Sequence, residues 1–126
     1  MPEDLFGKGK AIRADILGQD YVDKAMATAD EFGAPLQEIV TSSVWGGVWA
    51  RDGLDRKTRS LLNIAMLASL GRMEELRIHL RGSLRNGCSK VEIREMLLQA
   101  AIYAGFPAAI SGFRAAREIF AEKGED

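Results

Sequence analysis

The stretch Asp55–Gly87, DRKTRSLLNIAMLASLGRMEELRIHLRGSLRNG, decides the fold. Asp55 is a good helix N-cap, and the second half of the run RKTRSLLNIAMLASL is apolar on nearly every face, the mark of a buried helix. Gly71 stops it. A second helix begins at Arg72 or Met73 and closes at Asn86-Gly87, a pair suited to the left-handed turn that ends helices. Two helices with so short a break between them form a hairpin. The same grammar returns downstream, where Ser89-Lys90-Val91-Glu92 is a capping-box pattern opening VEIREMLLQAAIYA up to Gly105, and Pro107 begins AAISGFRAAREIFAEK. The spacing predicts helical hairpins over 55–70 with 73–86 and over 90–104 with 107–122.

Upstream, Gly9–Gly18 reads as a short helix or turn. Asp20 is a plausible N-cap for YVDKAMATADEF, which ends at Gly33 with Val22, Ala25, Met26, Ala29 and Phe32 as its apolar stripe. Pro35 suits a first helical position, and Leu36, Ile39, Val40, Ser43 and Gly47 follow at helical spacing until Gly46 and Gly47 end or loosen the helix. No segment alternates with period two, so the expected fold class is all-α. A chain of 126 residues is expected to form one domain, 1–126. Helices 61–70 and 96–104 carry more apolar surface than a small bundle hides within itself, which predicts an oligomer.

Hydrophobic residues make up 47% of the chain, charged residues 28%, and the net charge is -1, so there is no electrostatic case for nucleic acid or an anionic membrane as partner. A single cysteine forms no internal disulfide, no apolar run reaches the roughly 20 residues that span a bilayer, and MPEDLFGKGK lacks a signal-peptide layout. The expected location is cytoplasmic.

His79 is the only histidine. Four-residue spacing sets Glu75, His79 and Ser83 along one helix face, with Arg72 two turns earlier, so a carboxylate, an imidazole and a hydroxyl are expected in line. A lone helical histidine between leucines is also a common packing residue, and both readings stand. Trp45 and Trp49 flank the glycine pair just before Arg51. They read either as buried packing or as an aromatic wall with a cationic end. Together with Arg59, these residues suit a small anionic substrate, arginines holding carboxylates while an imidazole moves a proton. Arg77, Arg81 and Arg85 lie on another face, as a solvated or salt-bridged stripe. There is no phosphate loop and no paired-cysteine or second-histidine metal site, so neither metal nor cofactor is expected. Cys88 lacks a resolving partner and reads as structural.

The strings WGGVWARDGLDRKTRSLLNIAMLASLGRMEELRIHLRGSLRNG and EIREMLLQAAIYAGFPAA, with GKAIRADILGQDYVDKAM near the start, resemble the carboxymuconolactone decarboxylase family over essentially the whole chain. The resemblance implies an alkylhydroperoxidase D-like helical subunit that assembles as a homohexamer, with a trimer as the alternative. It also implies cofactor-free decarboxylation of 4-carboxymuconolactone to the enol-lactone of 3-oxoadipate, in the protocatechuate branch of aromatic-acid breakdown. Carried onto this chain, His79 would be the acid/base, Glu75 would stand beside it, and Trp45 to Arg51 would line the pocket; Arg51 or Arg59 suits the acetate arm. Redox relatives in the wider superfamily carry a Cys-x-x-Cys pair, which would fall here at Arg72 and Glu75. Neither is a thiol, which excludes a thiol-disulfide relay. Asp52 and Cys88 depart from the family pattern and leave room for a lyase or isomerase acting on another carboxylated lactone or keto acid, or for a non-catalytic oligomeric binding subunit.

Overall fold

In the computed structural model, which describes residues 4–124, α-helices and one π-helical segment form the regular structure, and no strand occurs among the described residues. The chain is all-α. Its helices gather into two units, one reaching Asp55 and the other starting at Arg56.

The first unit opens with Asp4, whose carboxylate accepts a hydrogen bond from the Gly7 amide at 2.9 Å and caps α1, Leu5–Leu17. This cap lengthens what the spacing marks only as a short helix or turn over Gly9–Gly18. α2 spans Gln19–Thr28 and stops before the expected Gly33. There the Asp30 side chain accepts from the Gly33 amide at 2.8 Å, a local turn that competes with helix continuation. Phe32 is therefore left 95% exposed and takes no part in the apolar stripe. α3, Ala34–Ile39, has its proline in the first turn and runs directly into a π-helical segment, Val40–Gly46. The glycines that were expected to end or loosen this helix sit where its hydrogen bonds reach one residue further, as in the 2.9 Å bond from Trp49 N to the Val44 carbonyl. Gly9 of α1 crosses this segment backbone to backbone. A Cβ there would run into the Thr41 carbonyl and lie 2.7 Å from Gly46 N, and one on Gly46 would strike the Leu5 carbonyl.

The second unit holds α4, Arg56–Leu70; α5, Met73–Arg85; α6, Lys90–Ala104; and α7, Phe106–Glu122. Gly71 at φ 74° and Gly87 at φ 86° make the left-handed turns that end α4 and α5. The predicted capping box is present: Ser89 Oγ accepts from Glu92 N at 3.0 Å, and Glu92 Oε1 accepts from Ser89 N at 2.9 Å. That backbone bond, backed by the Lys57 ammonium at 3.0 Å, holds the Glu92 carboxyl below its ordinary range. Ile64, Leu76, Leu80, Ile93, Leu97 and Ile119 are closed to solvent at the centre, each contributing about 1.5–3 kcal/mol through burial. Buried Cys88 joins this core and points its thiol toward the Lys57 carbonyl at 3.8 Å, the structural role expected of it. Part of the arginine stripe is ion-paired within the chain, Arg77 to Glu118 at 2.8 Å and Arg81 to Glu122 at 2.7 Å, tying α5 to α7. Not all the apolar surface is covered. Leu62, Met66 and Leu70 of α4 and Leu98, Ile102 and Tyr103 of α6 are exposed.

Two expectations follow for stability. Gly9→Ala forces a methyl group into backbone that cannot yield cheaply, and a loss of about 3 kcal/mol is expected in denaturant titration; unchanged stability would mean the crossing is looser than described. Arg81 hydrogen-bonds Glu122 and lowers its carboxyl pKa, so this stabilisation is present above the ordinary carboxylate pKa and is lost as pH falls through the lowered value. Glu122→Gln should flatten the fall in Tm between about pH 5 and about pH 3. A wild-type slope in the variant counts against the ion pair.

Candidate active site

The candidate residues fall on both units. Trp45, Trp49 and Arg51 belong to the first; Arg59, Arg72, Glu75 and His79 to the second. In the first unit the π-helical segment and the turn behind it bring the two indoles together, ring centroids 4.5 Å apart and planes 25° from parallel. Both are buried, at 3% and 5% exposure, so most of each ring is spent on packing. Arg51, after the turn, is exposed.

In the second unit His79 is half-buried between the closed Leu76 and Leu80, and its Nδ1 lies 3.4 Å from Asn63 Nδ2 of α4. An amide nitrogen only donates, so in this arrangement Nδ1 accepts and the neutral ring carries its hydrogen on Nε2. Glu75, one turn earlier, is exposed, and Ser83 is turned inward, its hydroxyl donating to the Leu80 carbonyl at 2.8 Å. The expected line of carboxylate, imidazole and hydroxyl is thus spread around the helix, because four residues advance by about 40° more than a full turn. Arg72 is the exposed N-cap residue of α5. Half-buried Arg59 lies one turn before Asn63, on the same face of α4.

Asn63 was not singled out by pattern or spacing. Its signal was an amide within the apolar run LLNIAML, where a polar group needs a partner. Arg13 was missed as well. It is 5% exposed, with Nη1 donating to Gln37 Oε1 at 2.9 Å and Thr41 Oγ1 at 3.4 Å. Two cavities lie elsewhere. One of about 390 Å³ lies between α6 and α7, with Ile93, Leu97, Phe113 and Phe120 below Lys90 and Arg117. The other, about 440 Å³, is lined by Phe6, Met26, Gln37 and Glu38. The candidate residues line neither of them. Among the described residues no group of His, Cys, Asp and Glu side chains is arranged to hold a metal ion.

Residues 34–118 match the sequence pattern of the carboxymuconolactone decarboxylase family. The chain is 38% identical over 122 residues, 97% of its own length and 91% of the relative's, to 4-carboxymuconolactone decarboxylase of Acinetobacter baylyi. It is 45% identical over 106 residues, 84% of its length and 74% of the relative's, to nitrosuccinic acid decarboxylase of Metarhizium robertsii. A third similarity, 36% over 84 residues, covers 65% of this chain and 63% of an uncharacterized 15.0 kDa protein of Paracoccus denitrificans.

One hydrogen bond is open to direct measurement, because a single histidine gives a single set of imidazole resonances. The neutral ring is expected to show the Nε2–H tautomer in ¹⁵N spectra, and Asn63→Leu to shift it toward a mixture. A wild-type ring protonated on Nδ1 would contradict the contact.

Proposed function

The chain belongs to the carboxymuconolactone decarboxylase family, and on that premise we propose that it converts 4-carboxymuconolactone to the enol-lactone of 3-oxoadipate without a cofactor, with His79 as proton donor. It is a decarboxylase of a small carboxylated substrate, the activity that both named relatives share. The substrate assignment is carried by the match to the Acinetobacter protein, which runs almost end to end through both chains. The family match runs through Asp55, which supports reading the two units as one catalytic domain.

The chemistry asks little of the protein. When the bond from the ring carbon to the carboxylate breaks, carbon dioxide leaves and the electron pair passes into the conjugated lactone carbonyl as a dienolate. A proton then returns to carbon. Because the substrate carries its own electron sink, a cofactor is not required; a donor at the developing oxyanion and an acid at carbon suffice. A neutral His79 supplies Nε2–H as donor. Protonated from solvent on Nδ1 to the imidazolium, it delivers the Nε2 proton to carbon and returns to a neutral ring, while Asn63 turns its amide so that Oδ1 accepts from Nδ1–H. Arg59, one turn from Asn63, is the cation we assign to a substrate carboxylate, with Arg51 and Arg72 as further carboxylate holders, the Trp45–Trp49 stack as the apolar wall and Glu75 in support of His79. The exposed apolar residues of α4 and α6 support self-association, for which we propose a homohexamer, with a trimer as the alternative.

A second reading is favoured by the higher identity to the nitrosuccinic acid decarboxylase. Loss of carbon dioxide from the carbon that bears a nitro group leaves a nitronate, again a carbanion delocalised onto oxygen and reprotonated at carbon. The same residues would serve either acid.

Purified chain assayed by the ultraviolet loss of 4-carboxymuconolactone, and separately with nitrosuccinate, decides between them. Turnover of the lactone is expected, and His79→Gln should lower it by at least about a hundredfold without changing the native mass. Turnover of nitrosuccinate alone moves the assignment to the second acid; a folded chain inert toward both overturns the proposal, and a His79→Gln variant that falls apart makes His79 a packing residue.

A further inference from the structure

The cleft of about 390 Å³ between α6 and α7 lies wholly within the second unit and is built from two facing rows of side chains. α7 supplies Phe113 and Phe120, two turns or about 10 Å apart on one face, with Ala116 between them. A one-carbon side chain between two rings leaves a depression, and buried Ile93 and Leu97 of α6 make its floor. Both rings are half-buried, which leaves part of each available to an occupant. The rim decides the charge of that occupant. Lys90, Arg94 and Arg117 stand on it, and no carboxylate among the described residues lines the cleft. Arg94 and Arg117 are exposed and Lys90 is half-buried, so all three can be reached from solvent. The acids of these two helices are engaged elsewhere, Glu92 with Lys57, Glu118 with Arg77 and Glu122 with Arg81. Arg94 pairs with the adjacent, exposed Glu95 at 3.2 Å, whereas Arg117 meets no carboxylate among the described residues. The Lys90 ammonium stands 5.1 Å from the centroid of the Phe120 ring, a contact that holds this cation at the mouth of the cleft.

We propose that this cleft is a binding site for an aromatic carboxylate, its ring held between Phe113 and Phe120 over Ala116 and its carboxylate set at the rim against Arg117 and Lys90. Ring-on-ring contact contributes beyond the area it buries, which favours a flat aryl group over an alkyl chain of similar size. A guanidinium fork and an ammonium at the mouth suit a carboxylate, and because the rim is wet their attraction is screened by salt. The volume falls within the range of small-molecule sites. None of the candidate active-site residues lines the cleft, so the proposal goes beyond the decarboxylase reading and does not rest on it.

Isothermal titration of the full chain with 2-naphthoate tests this. The wild type is expected to bind it, and more weakly as sodium chloride is added. 2-Naphthylmethanol, which keeps the ring and loses the charge, should bind at least about tenfold more weakly. Octanoate, which keeps the charge and loses the ring, should bind at least about fivefold more weakly. The double change Lys90→Gln with Arg117→Gln should weaken 2-naphthoate at least about tenfold, while His79→Gln leaves its binding unchanged. In methyl spectra of the wild type the naphthalene ring current should shift Ile93, Leu97 and Ala116, a readout that carries the test if the double variant does not fold. Failure of the wild type to bind, as when a second copy of the chain covers the cleft, overturns the proposal. So do unchanged binding by a folded double variant, shifts that spare Ile93 and Leu97, and octanoate bound as tightly as 2-naphthoate. Loss of binding in His79→Gln overturns it too, by moving the acid to the active site.

Discussion

Leu76 and Leu80, both closed to solvent, set the rotation of α5, and the chemistry of the second unit follows from that rotation. At about 100° per residue, Leu76, Leu80 and Ser83 fall within roughly 60° of arc facing the core. His79 then stands about 70° to one side of the core direction, which leaves it half-buried, and Glu75 stands about 110° away, in solvent. On the opposite flank, at about 90° and 130°, Arg77 and Arg81 reach Glu118 and Glu122 of α7. Two buried leucines contribute about 1.5–3 kcal/mol each, whereas exposed ion pairs give about 0–1 kcal/mol. The apolar seam therefore decides the phase, and the polar groups take the positions it leaves them.

Much of this second unit was legible beforehand because its signals are local. Gly71, Asn86-Gly87 and the Ser89–Glu92 box act within a turn of where they stand, and the helices begin and end where those residues put them. The two hairpins needed no long-range information. What was not legible depends on neighbours distant in sequence or on competition between local motifs. The helical spacing placed Glu75 beside His79, but the residue on Nδ1 comes from α4, sixteen positions away. The end of α2 was misplaced because the Asp30 turn outcompetes helix continuation. The burial of Arg13 was hidden because its hydrogen-bond partners lie 24 and 28 residues further on.

The arginines divide into two kinds. Arg77 and Arg81 are at least a third exposed and matched to carboxylates, so they tie helices together and leave no net charge to use. Arg13 is enclosed among neutral groups, and Arg59 is half-buried beside the face that bears Asn63. A cation enclosed among neutral groups, as Arg13 is, costs the resting fold stability, whereas a cation that meets a substrate carboxylate serves the reaction. Decarboxylation needs such groups in moderation, because a carboxylate gripped too firmly is stabilised as a charge at the moment its charge must leave.

The π-helical segment Val40–Gly46 holds one residue more than an α-helix closing the same hydrogen bonds. It is equivalent to a single insertion accommodated inside a helix, with Thr41 and Gly46 on its inner side and Trp45 at its end. Removing any one residue from it would restore ordinary α-helical pairing at little cost to the backbone. Side chains on either flank would keep their faces, and those inside the wide turn, Thr41 with its contact to Arg13 among them, would be repositioned. Length at this point of the chain thus matters as well as the identity of its residues, and a shortened relative could keep Thr41 and lose its contact with Arg13.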